Sequence, residues 1–341
     1  MPFRVVIHTG YDYPEYHAVM EEVRAYLVQT GLECEVIPMI SDWSPQATVQ
    51  CTRGFQAALA SHELWTRPVF EELSGQLCFV CKLGTGMDTF DLEAAEDHGV
   101  TVANAWQANS SAVADMTVAL MLAANRRVAH IDRMVRSGVW WTAHLSGQLE
   151  GATVGLIGFG GIARIVRRYL TGFGCRVLAY SRSARPGPNE ELQVEFVSLD
   201  TLARESDFVS VHVPLHDSTR GMIDSDFFAK MKPSALFFNT SRGPIVREKD
   251  LIAALRNGVI AGAGLDVYES EPLQADNPLL AMDNVVLSTH VAGNTLPAVR
   301  RVGRMAADRV IEYAAARRVT INGRQAGRES DRLRVDSSDG S

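Results

Sequence analysis

Thr153-Val154-Gly155-Leu156-Ile157 runs directly into Gly158-Phe159-Gly160-Gly161-Ile162-Ala163 and then into a segment rich in Ile, Val and Arg. This is G-x-G-x-x-A at a strand–turn–helix junction, and it constrains the fold more than any other stretch of the chain. Gly158 permits the tight turn, Gly160 lets backbone approach a pyrophosphate, and Ala163 keeps the helix close to its strand. The first N–H groups of that helix remain available to an anion. From residue 151 onward, strands are predicted at 153–157, 176–180, 207–213, 235–239, 261–267 and 284–287, with helical segments between most of them. Repeated β-α units predict an α/β fold built on a doubly wound, mostly parallel sheet with helices on both faces.

The chain has 341 residues, more than a single core usually serves, so two domains are expected. The first hundred residues alternate as well. Arg4-Val5-Val6-Ile7-His8, Glu33-Cys34-Glu35-Val36-Ile37 and Cys78-Phe79-Val80-Cys81 read as strands, and 15–29 repeats Val19, Val23, Tyr26 and Leu27 at helical spacing. One long helix is predicted from 112 to about 130, with Asn109, Ser110 and Ser111 as candidate caps. Residues 324–341 are almost free of apolar side chains and are expected to form a mobile polar tail.

Composition narrows the function classes. Apolar residues make up 46% and charged residues 21%, which fits a globular enzyme and excludes a disordered chain. The charge balance, 33 − 40 = −7, leaves no nucleic-acid footprint. No apolar run approaches the ~18 residues of a membrane span. The N-terminus enters a strand-like run with no secretory core, so a cytoplasmic location is expected. Five cysteines do not suggest a disulfide framework. Cys78 and Cys81 lie three apart in an apolar strand, where they point to opposite faces, and no second pair completes a metal site.

Three strand ends carry polar residues suited to chemistry. They are Phe238-Asn239-Thr240-Ser241-Arg242-Gly243, Gly264-Leu265-Asp266-Val267-Tyr268-Glu269-Ser270-Glu271-Pro272 and Ser288-Thr289-His290-Val291-Ala292-Gly293. Each alone fits a surface ion pair, an ordinary loop or a structural histidine. Together, at the carboxyl ends of strands that face the ligand crevice of an open α/β sheet, they can converge on a bound cofactor. Arg242 can fork two N–H donors to a planar carboxylate. His290 as imidazolium can protonate a carbonyl oxygen, with a carboxylate from the second strand end able to fix its tautomer by hydrogen bonding and charge.

With these motifs in order, the chain resembles the D-isomer-specific 2-hydroxyacid dehydrogenase family over roughly residues 75–325. The likeness also rests on Gly84-Thr85-Gly86-Met87-Asp88, Asn109 with Val113-Ala114-Asp115, Gly138-Val139-Trp140, Leu149-Glu150-Gly151 and His212-Val213-Pro214-Leu215. The resemblance implies a discontinuous, flavodoxin-like substrate domain (1–103 and 296–323) and an inserted Rossmann-type NAD(P)-binding domain (104–295). Hinges near 112 and 296, closure over the substrate, and a homodimer joined through the cofactor domains are implied too. The implied catalytic residues are Arg242, Glu271 (rather than Glu269) and His290. Thr85, Gly86 and Asn109, with Arg242, would hold the substrate. Cofactor contacts would fall on Gly158, Phe159, Gly160, Gly161, Ile162, Ser181, Arg182, Ser183, His212, Pro214, Thr219, Thr240, Ser241, Asp266, His290 and Gly293, and no metal site is expected.

Trp106 and Thr289 replace prolines usual in the family, Gly161 an arginine, Arg247 an acid and Asp115 a glutamate, and none of these changes removes a catalytic group. The implied function is hydride transfer between nicotinamide and a small 2-oxo or D-2-hydroxy acid, with glyoxylate- or hydroxypyruvate-like substrates favoured. A phosphoglycerate dehydrogenase-like enzyme and a nucleotide-sensing corepressor-like protein are the alternatives. Formate oxidation fits less well, because formate-oxidising members carry Gln where this chain has Glu271. The strand 176–180 ends in Ser181-Arg182-Ser183, where an NAD enzyme usually places an acid for the ribose 2′-hydroxyl, so NADP(H) is favoured.

Overall fold

The computed structural model describes residues 3–39, 42–140 and 145–321, with the side chains of 318–321 excepted. The polar segment 324–341 lies outside the described residues. Two compact units divide the chain: residues 1–109 with 294–321, and Ser110–Gly293. The divisions fall after 109 and 293, where the sequence placed them after 103 and 295.

The first unit contains β1 (Arg4–Thr9), α1 (Pro14–Gln29), β2 (Glu33–Pro38), α2 (Pro45–Thr52), β3 (Ala57–Ala60), α3 (Arg67–Glu72), β4 (Phe79–Lys82), α4 (Leu92–Asp97) and β5 (Thr101–Asn104). Its sheet is parallel with order β2-β1-β3-β4-β5, a flavodoxin-like arrangement. Pro14 opens α1 with its φ already set, and Tyr16, Val19, Met20, Val23 and Leu27 form the buried stripe. Alternate strand residues go to opposite faces: Val5, Ile7 and Leu59 pack with α1, whereas Val6, Ala58 and Ala60 pack with Trp65 and Phe70. Cys78 and Cys81 are buried and free, and burial pushes the Cys81 thiol up to about 12, as suits an inert strand residue.

The second unit opens with α5 (Ser110–Asn125) and α6 (Val128–Arg136). These correct the single helix expected over 112–130. Arg127 adopts φ +51°, which breaks the helix, and the two parts have different surroundings. Ala114, Leu120 and Met121 of α5 are buried in the core, while α6 buries no residue. There follow β6 (Thr153–Ile157), α7 (Gly161–Leu170), β7 (Arg176–Tyr180), β8 (Gly187–Asn189), β9 (Val194–Phe196), α8 (Leu199–Glu205), β10 (Phe208–Val211), α9 (Ser225–Phe228), β11 (Leu236–Asn239), α10 (Glu248–Arg256), β12 (Gly262–Leu265) and β13 (Val285–Leu287). The sheet order is β13-β12-β11-β10-β6-β7-β9-β8, parallel except for β8. It is doubly wound, with its switch point between β6 and β10.

The chain then returns to the first unit as α11 (Leu296–Ile321), whose Ala306, Ala307, Val310 and Ala314 pack on the α1 face of the first sheet. No helix among the described residues is long and apolar enough to cross a membrane.

Candidate active site

The glycine loop follows β6. Gly158 has φ +93°, and a Cβ there would lie 2.8 Å from the C and O atoms of His212, so both its conformation and its space require glycine. Gly160 caps α7 and is exposed, and a Cβ on it would meet nothing within 4 Å. The helix N-terminus therefore opens onto free space, as anion binding requires. Ala163 is fully buried, which brings α7 close to its strand, and Phe159 packs edge-on against Phe196. Gly161 and Ile162 are half-buried in the first turn. His212 donates its backbone N–H to Ile157 O at 2.7 Å. Burial lowers its side-chain pKa to about 4, so the ring is neutral, and its buried Nε2 has no protein partner among the described residues. These features fit a dinucleotide.

At the end of β7 the Ser181 and Ser183 hydroxyls lie 3.2 Å apart, and exposed Arg182 donates to Ser218 Oγ at 3.2 Å. After β10, buried Thr219 donates to Pro214 O at 2.7 Å and accepts from His216 N at 2.8 Å, which closes that turn. Ser241 Oγ donates to Val213 O and ties the β10 and β11 exits together. Thr240 is buried, with its hydroxyl 2.9 Å from that of Thr117 on α5.

Arg242 stands on a turn shaped by buried Asn239, which donates to Arg242 O at 2.9 Å and accepts from Ser241 N at 3.0 Å. The Arg242 guanidinium donates to Ser241 O at 2.8 Å. Next to it, a Cβ on Gly243 would fall 1.7 Å from Tyr268 O. The arginine turn and the glutamate turn thus touch backbone to backbone. Glu271 Oε1 accepts from Tyr268 N at 2.9 Å, and Oε2 lies 2.6 Å from His290 Nδ1. Burial alone would raise the Glu271 pKa. The bonds from His290 and Tyr268 N–H and the charge of Arg242 outweigh it and hold the carboxyl below its ordinary value.

His290 has φ +56°, a left-handed conformation uncommon outside glycine. Asp266, fully buried, secures it. The Asp266 backbone O accepts from His290 N at 2.7 Å, and its carboxylate accepts from Val291 N at 3.1 Å and Ala292 N at 2.9 Å. The sequence suggested a cofactor contact for Asp266 and missed this backbone role. It also missed Asn239 and the crossing at Gly243. Half-buried Gly293 ends the loop.

In the first unit, Thr85 Oγ1 donates to Asn109 Oδ1 at 3.4 Å, and Asn104, not anticipated from the sequence, donates to Thr85 O at 2.9 Å. Gly86 lies half-buried in the same loop.

The model of one family, the NAD-binding domain of D-isomer-specific 2-hydroxyacid dehydrogenases, matches residues 118–292. The chain belongs to the D-isomer-specific 2-hydroxyacid dehydrogenases. The dehydrogenase is 41% identical over 247 residues to a glyoxylate reductase of Korarchaeum cryptofilum, covering 71% of this chain and 74% of that one. It is 39% identical over 235 residues to a hydroxypyruvate reductase of Thermotoga maritima, covering 68% and 76%. Among solved structures, it matches the TT0316 protein of Thermus thermophilus with a TM-score of 0.82 at 30% identity, over 92% of this chain and 97% of that one. The dehydrogenase is therefore an oxidoreductase acting on a CH–OH group with a nicotinamide cofactor. The glutamate bonded to its histidine is Glu271; Glu269 instead donates its backbone N–H to Glu248 at 3.0 Å.

Proposed function

We propose that the dehydrogenase reduces small 2-oxo acids to D-2-hydroxy acids, with glyoxylate and hydroxypyruvate as favoured substrates and NADPH as favoured cofactor. The 2.6 Å pairing of Glu271 with His290 is the observation that carries this reading, supported by relatives named glyoxylate reductase and hydroxypyruvate reductase. The cofactor, when bound, supplies the hydride. Arg242 binds the acid through paired N–H donors. His290 gives its Nε2 proton to the oxygen on which charge develops, while Glu271 holds the ring by Nδ1 and stabilises its charged form. Thr85, Gly86 and Asn109 take the carboxylate. The direct test is nicotinamide absorbance with glyoxylate, hydroxypyruvate, pyruvate, phenylpyruvate and 3-phosphohydroxypyruvate. Turnover of none of them would overturn the reading.

NADPH preference follows from the β7 exit. Ser181 cannot bridge both ribose hydroxyls as a carboxylate would, and it does not repel a 2′-phosphate. Arg182 supplies a charge-assisted donor there. Such a bond contributes about 1.5–3 kcal/mol, so kcat/KM should favour NADPH over NADH by about ten- to a hundredfold. Ser181→Asp combined with Arg182→Ala should reverse that ratio. A native preference for NADH, or a ratio unmoved by the double substitution, would sink the assignment.

The cofactor-binding unit is also proposed as the homodimer contact. Helix α6 buries none of its residues, and Val128 and Val135 are exposed on it, as is Trp140 beyond it (71%). Sedimentation should show two chains per particle, and Val135→Glu with Trp140→Glu should give a monomer with unchanged helix content. A dimer that survives both substitutions would place the contact elsewhere.

A further inference from the structure

Tyr268 lies in the turn after β12, and three of its groups reach three different segments. Its N–H donates to Glu271 Oε1 at 2.9 Å. Its carbonyl oxygen is the atom that a Cβ on Gly243, next to Arg242, would strike at 1.7 Å. Its hydroxyl donates to Ser288 O at 2.6 Å, with Leu265 O further off at 3.3 Å. Ser288 stands two residues before His290 at the exit of β13, and its N–H donates to Leu265 O at 2.8 Å. Both backbone groups of Ser288 are therefore bonded, and the bond to its oxygen is the phenol's.

The ring and the hydroxyl of Tyr268 have separable roles. The residue is buried in the apolar core of the second unit, a place that phenylalanine would fill equally well. Burial pushes the phenol up to about 12, so the hydroxyl keeps its proton and remains a donor. Nor does the loop that carries Glu271 need the phenol to stay closed. Glu248 Oε2 accepts from Glu269 N at 3.0 Å and Oε1 accepts from Asn277 Nδ2 at 2.7 Å, one bond on each side of Glu271. Asn277 Oδ1 in turn accepts from Leu279 N at 3.0 Å. What the hydroxyl adds is a link between the glutamate turn and the histidine segment.

We propose that Tyr268 is a positioning residue for proton delivery: its hydroxyl holds the segment that carries His290 against the turn whose N–H holds Glu271, and so sets the 2.6 Å approach of carboxylate and imidazole. The assignment rests on the 2-oxo acid reading above, in which that pair serves the proton transfer. The phenol's bond to Ser288 O is at the short end for O–H···O. A misplacement of about 1 Å at a reacting group can cost roughly 10²-fold in rate. Without the hydroxyl, Ser288 O loses that bond and His290 gains freedom relative to Glu271. The backbone N–H and C=O of residue 268 remain in any side-chain variant, so the contacts to Glu271 and Gly243 persist. The loss therefore falls on the chemical step and not on binding of the acid.

The test is the single-turnover rate of nicotinamide oxidation by glyoxylate in the native protein, Tyr268→Phe, Glu271→Gln and the double variant. Tyr268→Phe should slow the reaction at saturating acid about tenfold and leave the half-saturating glyoxylate concentration within about twofold of native. Because the hydroxyl acts through Glu271 and His290, the same substitution should cost less than about twofold in the Glu271→Gln background. A purely structural role gives equal factors in both backgrounds, and that outcome overturns the assignment. A Tyr268→Phe rate within about twofold of native overturns it too. So does loss of the folded state in Tyr268→Phe, which assigns the hydroxyl to stability. All three leave the 2-oxo acid reading intact, whereas a native protein that reduces no 2-oxo acid overturns both.

Discussion

His290→Ala lowers kcat for 2-oxo acid reduction by about 10²–10⁴-fold, the usual range for removing a general acid. Charge builds on the C2 oxygen as that carbon is reduced, and a proton must reach it. His290 Nδ1 is engaged by Glu271 at 2.6 Å, which leaves Nε2 as the nitrogen able to deliver the proton. Alanine has no proton to give. The backbone needs separate attention, because residue 290 sits at φ +56°, where alanine is disfavoured by about 1–2 kcal/mol. His290→Asn controls for that, since asparagine adopts this conformation more readily. Both variants should lose activity alike while only the alanine variant loses stability. A kcat within tenfold of native in either, on the best acid, would remove His290 from the mechanism.

Glu271→Gln should lower kcat/KM by about 10- to 10³-fold near neutral pH. The amide can still accept from Tyr268 N–H, so the fold should tolerate the change. It can also offer an N–H to His290 Nδ1 and turn the ring to the wrong tautomer, an effect that reaches about 10⁴-fold in other triads. The native protein sets the sign on the acid side. Glu271 is held below its ordinary value, so its contribution to stability is fully present above about pH 4.5 and is lost as pH falls through the depressed value. Glu271→Gln should therefore show a shallower loss of stability in acid. A kcat/KM within twofold of native would show that the pair does not act in catalysis, and superimposable acid-stability profiles would show that the Glu271 carboxylate does not stabilise the fold.

Legibility in the sequence followed how local each determinant was. Strands at 153–157 and 176–180 coincide with β6 and β7, because short apolar runs there are bounded by glycine, Gly158 after the first and Gly174 before the second. Strand β3 went unread, since Ala57-Ala58-Leu59-Ala60 has weak strand propensity and owes its state to a buried place between β1 and β4. The break at Arg127 carries no composition signal. It arises because α5 is buried and α6 is not. Arg242, Glu271 and His290 were legible from their order after a glycine loop, and their pairing distances were not. Asp266 illustrates the gap: its bonds reach Val291 and Ala292, 25 and 26 residues away, which no local pattern encodes.

The crossing of Gly243 beneath the Tyr268 carbonyl has a consequence for descent and for redesign. Even a methyl group at 243 would force the arginine-bearing and glutamate-bearing turns apart, so the two can only be inherited as a unit. Lineages that acquire new acids are therefore expected to keep 239–243 and 266–271 nearly constant and to diverge at the strand exits of the other sheet. A laboratory library gains most by the same division, with those two stretches frozen and diversity spent on exposed positions such as Trp43 and Trp106.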